Sequence, residues 1–248
     1  MHSKLLNKTK ELKNKHGGEN CFIILNGPSL KVIDVTKIKN AKVICVNYFV
    51  ETFSNPDYAV CWDRGFFDPL RLQLMQRNYD ETRSTKFINN LRSFNVLTKE
   101  QSDRTYYVYG KHFPSATSVR SNLAGLSSSF VNSHLFAILS AIYMGFSRIY
   151  LVGLDMNLEN LYQHNYENVQ DKGREDRVLR SSDKDIICTA FRCYTLCQYQ
   201  SFYMSAYAKI KGVKIYNTNL NSSIRAYSFK PFDDAIDETS QVSCSSSL

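Results

Sequence analysis

Short apolar runs alternate along the chain with polar turns and with longer helical patterns. The first run, residues 21–25, has five apolar residues, is rich in β-formers and is too short to cross a membrane, so it predicts a strand buried on both faces. Further runs that predict strands are 42–46, 58–62, 87–90, 105–109, 148–152 and 213–216. Helical patterns cover 66–76, 127–145 and 186–211. This alternation predicts an α/β fold with a mostly parallel sheet and helices on both faces.

Polar residues stand where several of these predicted strands end. Asn26, Asn47, Asp63 and Asp155 follow four of them, and residues 217–219 follow the last. In an open parallel sheet the carboxyl ends of the strands form one edge, and ligands bind along that edge. The repeated polar ends therefore predict a binding site there.

The turn after the first strand, Asn26-Gly27-Pro28-Ser29, has the composition of a ligand-binding turn. Gly27 lets the backbone approach a ligand, Pro28 fixes φ, and Ser29 is a candidate N-cap for a short helix through Leu30. Doubly wound α/β proteins place nucleotide phosphates at such a turn, and an ordinary strand-to-helix turn is the equal alternative. The turn has neither the three spaced glycines of the dinucleotide motif nor the Gly-Lys-Ser/Thr of a P-loop.

The polarity of the chain divides it into three parts. Residues 1–18 predict a basic, solvated N-terminal helix, and residues 19–225 predict one Rossmann-like domain. Within that domain, residues 156–185 are polar and lack periodicity directly after a strand, which makes them a candidate lid, with a disordered surface loop as the alternative. Residues 226–248 are polar and Ser-rich and predict a disordered tail.

Composition and charge narrow the classes of partner. The 248 residues are 43% hydrophobic, which is enough for one substantial core. The net charge of +8 suits an anionic ligand or an anionic membrane surface, and the absence of any nucleic-acid-binding motif argues against nucleic acid. Seven cysteines without framework spacing, three of them in apolar strand runs, indicate a reducing cytoplasm. We expect no signal peptide and no transmembrane helix.

Aromatic residues recur along the helical pattern 186–211. They are Phe191, Tyr194, Tyr199, Phe202, Tyr203 and Tyr207. We interpret this stripe as core packing rather than as a platform for a ligand. Aromatic surfaces together with the basic N-terminal segment leave a homo-oligomer, or peripheral contact with the inner face of the membrane, as open alternatives.

Two motifs together resemble a known superfamily. Residues 26–30, with sequence NGPSL after an apolar strand, and residues 145–155, with sequence GFSRIYLVGLD after a long helix, are its most specific motifs here. The combination is similar to bacterial lipooligosaccharide sialyltransferases and to the related motility accessory factors and 6-hydroxymethylpterin diphosphokinase-like proteins. The resemblance covers roughly residues 21–219 and implies a Rossmann-like variant of the GT-A type with a lid insert.

The resemblance to the sialyltransferases implies site residues by position. The donor-binding residues that it implies are Asn26, Gly27, Pro28, Ser29, Leu30, Asn47, Asp63, Ser133, Gly153 and Asp155. Those enzymes use a His before the last long helix as general base, but the matching region near Thr195 has none. Members of the wider superfamily carry a His-containing aromatic motif at this place, and residues 162–166 of the candidate lid are similar to it. The catalytic residues that follow are His164 as the base and Tyr162 and Tyr166 for the leaving phosphate, with Arg174 as the alternative to the tyrosines.

Three functions remain open from the sequence. The first is a metal-independent glycosyltransferase that moves a sugar, such as a CMP-linked nonulosonate, from a nucleotide-activated donor to a glycan or protein acceptor. The second is diphosphate transfer from ATP to a hydroxymethyl pterin, which requires Mg²⁺ held by carboxylates such as Asp63 and Asp155. The third is a non-catalytic nucleotide-binding subunit of a polysaccharide pathway.

Overall fold

A computed structural model describes residues 2–62, 69–112, 119–157 and 184–245. Its strands are β1 Asn20–Ile24, β2 Lys42–Val46, β3 Tyr58–Cys61, β4 Lys86–Asn90, β5 Thr105–His112, β6 Leu126–Ser129, β7 Arg148–Val152, β8 Lys214–Asn217 and β9 Ser228–Phe229. Its α-helices are α1 His2–Lys8, α2 Pro69–Glu81, α3 Lys99–Asp103, α4 Ser133–Met144, α5 Lys184–Ile210 and α6 Phe232–Ser245. Short 3-10 helices cover Thr9–Leu12, Pro28–Val32, Val35–Lys37 and Leu91–Val96.

In the described part of the chain, nine strands form one sheet in the order β6-β5-β4-β3-β2-β1-β7-β8-β9. Every neighbouring pair is parallel. The chain moves outward from β1 to β6, returns to place β7 on the other side of β1, and moves outward again to β9. The predicted Rossmann-like α/β fold is confirmed, and the strand order reverses between β1 and β7.

Both faces of the sheet are covered, as predicted. Alternate residues of β1 point into two different cores, with Ile23 in one and Phe22 in the other. Helices α4 and α5 pack on the face of Ile23, where the ring of Phe136 stacks 3.8 Å from that of Trp62. Helices α2 and α6 pack on the face of Phe22. The first predicted strand is therefore buried on both faces.

The predicted helix over 127–145 is wrong at its start. Residues Leu126–Ser129 form the edge strand β6, paired with β5, and α4 begins only at Ser133. Two serines of β6, Ser127 and Ser128, are buried, yet they carry no apolar pattern that would distinguish a strand from a loop. The helix ends as predicted, because Gly145 adopts the left-handed conformation at φ +91°.

The two ends of the chain are packed against the sheet. The sequence predicts a basic, solvated helix over residues 1–18, but α1 stops at Lys8 and Leu12 is fully buried. His16 is also bonded to the Tyr58 hydroxyl, at 2.8 Å. At the other end, the segment predicted as a disordered tail forms β9 and α6. That helix buries Ala235 against the core because its few apolar residues recur at helical spacing, which the Ser-rich composition hides.

The aromatic stripe of α5 is only partly core. Phe191, Tyr199 and Phe202 are about half exposed, so the interpretation as core packing is wrong for these three. Met204 and Cys197, on the opposite side of the helix, are fully buried in the core on this face of the sheet. Among the described residues, no helix is both long enough and apolar enough to cross a bilayer.

Candidate functional site

The candidate site lies at the carboxyl edge of the sheet, where β1 and β7 run side by side. Pairing continues beyond both strands, with Leu25 N–H donating to Val152 O at 2.8 Å and Gly27 N–H to Gly153 O at 3.0 Å. Gly153 takes φ +75°, a conformation that favours glycine. The strand order reverses between β1 and β7, and in doubly wound sheets ligands bind at the carboxyl ends of the strands at such a reversal.

Asp155 connects the two strand ends through its side chain. Its carboxylate Oδ2 accepts from the Ser29 N–H at 3.1 Å and from the Ser29 hydroxyl at 3.0 Å. Its Oδ1 accepts from the Asn219 amide, which follows β8. The side chain is buried, and these three charge-assisted bonds hold the first turn, β7 and β8 together.

Ser29 therefore has a different role from the predicted helix cap. It lies inside the 3-10 helix Pro28–Val32, whose N-cap residue is Gly27, and no side chain caps that helix. The anion that the turn binds is the Asp155 carboxylate of the chain itself. Leu30, implied as a donor contact, is buried in the core and anchors the turn from beneath.

Gly27 is required by close packing rather than by its backbone angles. A Cβ on this residue would lie 2.0 Å from Asp155 Oδ2 and 2.4 Å from the Gly153 carbonyl oxygen. Its φ of −72° is available to any residue. The turn therefore needs glycine so that Asp155 can approach the backbone of Ser29.

Two asparagines continue the site toward β2. The Asn26 amide donates to Val46 O at 2.9 Å and ties the end of β1 to β2. Asn47 adopts a left-handed conformation at φ +57°, and its carbonyl oxygen accepts from the Asn78 amide of α2 at 2.7 Å. The side-chain Oδ1 of Asn47 is buried and has no hydrogen-bond partner among the described residues. A buried acceptor without a partner, at the edge where such sheets bind ligands, is a candidate contact for a ligand donor.

The amino end of α4 lies beside the turn that follows Asp155. The Asn132 amide is 3.7 Å from the Met156 sulfur and 3.8 Å from the Cys197 sulfur of α5. Asn132 is the N-cap residue by its backbone angles but makes no capping bond through its side chain. Ser133, implied as a donor contact, is the first residue of α4 and is partly exposed. The positive end of the helix dipole therefore faces the same edge.

A buried polar cluster supports α4 from within. The Nε2 atom of His134 lies 3.5 Å from the Ser201 hydroxyl and 4.0 Å from the Cys197 sulfur. Burial lowers the pKa of His134 to about 3 and raises the pKa of Cys197 to about 12. Both groups are neutral near pH 7, and their role is to join α4 and α5.

The neutral His134 makes stability depend on pH. Its pKa is about 3 in the folded protein against 6.5 for an ordinary His, so protonation favours the unfolded chain. This contribution is fully present above pH 6.5 and is lost as pH falls toward 3. We expect the free energy of unfolding to lose about 2 kcal/mol between pH 7 and pH 5 through this group. Urea titrations at pH 7 and pH 5 measure the free energy of unfolding of wild type and of His134→Gln. An equal loss of this free energy in the two proteins would contradict the prediction.

The structure brings together most of the described residues that the sequence implied. Asn26, Gly27, Ser29, Gly153 and Asp155 form one cluster, with Pro28 opening its 3-10 helix, Asn47 on the next strand and Ser133 at the end of α4. Asp63, Tyr162, His164 and Tyr166 lie outside the described residues, and so does residue range 158–183 of the candidate lid.

Two contributors to the site were not predicted. Asn219 was noted only as part of a polar strand end, and pairing it with Asp155 needs the neighbouring position of β7 and β8. Asn78 lies in the last turn of α2 and has no local sequence feature that marks its bonds to the Asn47 turn. Within the four described ranges, no group of three or more His, Cys, Asp or Glu side chains could hold a metal ion.

Comparison with known proteins gives structural similarities alone. No family model and no curated protein sequence matches the chain. The solved structures similar to it include the sialyltransferase CstII from Campylobacter jejuni in complex with the substrate analogue CMP-3FNeuAc, at 15% identity and TM-score 0.49, covering 87% of this chain and 88% of that one. CstII with trisaccharide acceptor and CMP gives 15% identity and TM-score 0.45 over the same shares. The monofunctional α-2,3-sialyltransferase Cst-I from Campylobacter jejuni gives 14% identity and TM-score 0.46, covering 86% and 80%. At these values the similarities do not establish the function of this chain.

Proposed function

We propose that this protein is a glycosyltransferase that moves a sugar from a nucleotide-activated donor to a glycan or protein acceptor. The donor that we propose is a CMP-linked nonulosonate, bound at the carboxyl edge of the sheet beside the ends of β1, β2 and β7. The observation that carries the proposal is the buried side-chain Oδ1 of Asn47, which has no hydrogen-bond partner among the described residues. Asn47 has a left-handed backbone conformation next to Asn26 and lies two residues after Cys45, the last residue of β2 that pairs with β1.

The site offers acceptor atoms to the nucleoside. A carboxylate has about four acceptor positions, and Asp155 uses three of them on Ser29 and Asn219. One position on Oδ1 remains, together with the unpaired Oδ1 of Asn47. Ribose hydroxyls and an exocyclic base amine are donors, so a nucleoside satisfies both atoms.

The amino end of α4 is the proposed place for the donor phosphate. The backbone N–H groups in the first turn of a helix bind phosphate, and the helix dipole favours negative charge there. Ser133 adds a hydroxyl at this position. The turn at Ser29 is a poorer phosphate site, since its N–H and hydroxyl already bind the carboxylate of Asp155.

The proposed transfer is a single displacement. His164 takes the proton from the acceptor hydroxyl as its oxygen attacks the anomeric carbon of the sugar. The bond from that carbon to the phosphate oxygen breaks, and the nucleoside monophosphate leaves with the electron pair. Tyr162 and Tyr166 stabilise the charge that develops on the leaving phosphate by donating hydrogen bonds.

The geometry of Asp155 favours this reaction over diphosphate transfer from ATP. A Mg²⁺ site would need open carboxylate oxygens, with Asp155 as one of its two proposed ligands. Three donors already occupy this carboxylate, so a metal ion would find a single acceptor position, on Oδ1. We therefore propose a reaction that requires no metal cofactor.

Transfer assays test the proposal. The purified protein is incubated with a CMP-linked sialic acid and a set of oligosaccharide acceptors, with and without EDTA, and products are identified by mass spectrometry. We expect glycosylated acceptor and CMP in equal amounts, unchanged by EDTA. A reaction only with ATP, Mg²⁺ and a hydroxymethyl pterin would contradict the proposal, and nucleotide binding without turnover would favour a non-catalytic subunit.

The Asn47 contact has its own test. Asn47→Gly keeps the left-handed backbone and removes the amide, and we expect it to weaken nucleotide binding about tenfold, the value of one hydrogen bond in a buried site. Asn14→Gly is the matched control, because Asn14 has a similar φ of 55° and lies at the opposite edge of the sheet, near Tyr143. Equal affinities in the two variants, measured by calorimetry, would remove Asn47 from the site.

A further inference from the structure

One face of α5 exposes large apolar side chains along its length. The exposed fractions are 53% for Phe191, 50% for Tyr199, 55% for Phe202 and 81% for Ile210. These four residues, with Thr195 and Ala206 between them, follow one another at intervals of three or four positions, so they lie on one side of the helix. We call this set the outer face of α5.

The charged residues that follow Asp185 along α5, and on through residue 232, are all positive. Residues 186–232 contain no Asp and no Glu. Arg192 and Lys209 lie on the exposed side of α5, and Lys211 and Lys214 follow its end. Lys13 lies beside them. It lines one cavity together with Lys211, and the adjoining cavity is lined by Lys209 and Lys214. The outer face of α5 therefore has cations near both of its ends.

The acidic side chains of the last helix are on the other side of the molecule. α6 carries Asp233, Asp234, Asp237 and Glu238, and it packs through Ala235 on the face of the sheet that holds Phe22. α5 packs through Met204 on the opposite face. The acidic residues of α6 and the cations of α5 therefore lie on opposite sides of the sheet.

We propose that the outer face of α5 binds the surface of an anionic lipid bilayer. Apolar side chains enter the boundary between headgroups and acyl chains, and each nearby Lys or Arg adds electrostatic attraction to anionic lipid. A second copy of the chain fits less well, because pairing of this face with itself brings Arg192 or Lys209 against another cation in either direction.

The topology sets how the site meets this surface. β7 ends at the carboxyl edge, which holds Asp155, and β8 begins at the opposite edge. α5 connects the two edges, so its amino end lies at the edge of the candidate site. A bilayer along α5 would therefore lie beside the edge that holds the candidate site. The inference does not depend on the proposed function, because it is tested by binding alone.

Sedimentation with lipid vesicles tests the inference. The full chain is mixed with vesicles of phosphatidylcholine alone or of phosphatidylcholine with phosphatidylglycerol. We expect binding only to the anionic vesicles, and weaker binding as NaCl is added. The double variants Phe202→Ser with Ile210→Ser, and Lys209→Glu with Lys211→Glu, are each expected to lower the affinity at least about tenfold.

Matched controls separate this surface from general charge and hydrophobicity. Lys39→Glu with Lys99→Glu changes the net charge equally at exposed positions away from α5, and Val32→Ser removes another exposed apolar residue, 89% accessible. We expect both to bind as wild type does. All the changed side chains are exposed, and melting curves confirm that the variants fold. Absent binding, equal loss in the controls, or a wild-type dimer that Phe202→Ser disrupts in place of vesicle binding would overturn the inference.

Discussion

Replacing His164 with alanine is expected to lower the rate of sugar transfer by about 10²–10⁴-fold, the usual contribution of a general base. The proposed mechanism has no other group that removes the proton from the acceptor hydroxyl, so the loss falls on the chemical step. The affinity for the nucleotide should stay close to that of wild type, because the proposed nucleotide contacts are Asn47, Asp155 and the amino end of α4. Transfer rates at saturating donor, together with calorimetric binding of CMP, measure the two quantities.

The neighbouring variant Gln163→Ala controls for general disturbance of this segment. We expect it to retain most of the wild-type rate, since no step is assigned to Gln163. A His164→Ala enzyme that transfers sugar at the wild-type rate would exclude His164 as the base. Equal losses in both variants would mean that the segment acts as a whole rather than through the imidazole.

The second large effect is expected from Gly27→Ala. Its new Cβ would collide with the Asp155 carboxylate and the Gly153 carbonyl, and both groups are fixed by hydrogen bonds. Relief requires the carboxylate to leave Ser29, which breaks two bonds to a buried charge. We expect the free energy of unfolding to fall by about 3 kcal/mol and nucleotide affinity to fall by more than about tenfold.

Gly17→Ala is the matched control for this change. A Cβ on Gly17 would meet only the Asn14 carbonyl oxygen, at an ordinary 3.5 Å. Urea unfolding should place this variant within about 0.5 kcal/mol of wild type, as for a tolerated surface change. If Gly27→Ala matched it in both stability and CMP binding, the close approach of Asp155 to the turn would have no consequence for the protein.

The sequence was sufficient for the layout of the site because its strands are short and apolar and end in polar residues. β1 and β7 are such strands, and the turn at Gly27 and the carboxylate of Asp155 meet because parallel strands end at one edge. The direction of the Ser29 hydroxyl could not be predicted in this way. It depends on a partner 126 positions away, and local patterns favour the helix cap instead.

The remaining differences have physical causes of the same kind. The buried serines of β6 satisfy their backbone through β5, so the strand needs no apolar pattern. The apolar residues of α6 are outnumbered by its polar ones, so the composition predicts a polar tail. In the structure the apolar side of this helix covers Phe22. For α5 the prediction failed in the opposite direction. The aromatic residues Tyr199 and Phe202 predicted core packing, but both side chains are about half exposed.

The most direct measurement of the central claim is a thermal-shift series with CMP, CDP, UDP, GDP and ATP, each with Mg²⁺ and with EDTA. A ligand at about 100 times its Kd stabilises the folded protein by about 2.7 kcal/mol, which is readily seen as a rise in Tm. We predict a rise with CMP that is the same in Mg²⁺ and EDTA and that is lost in Asp155→Asn. A rise only with ATP and Mg²⁺, or no rise with any nucleotide, would contradict the account.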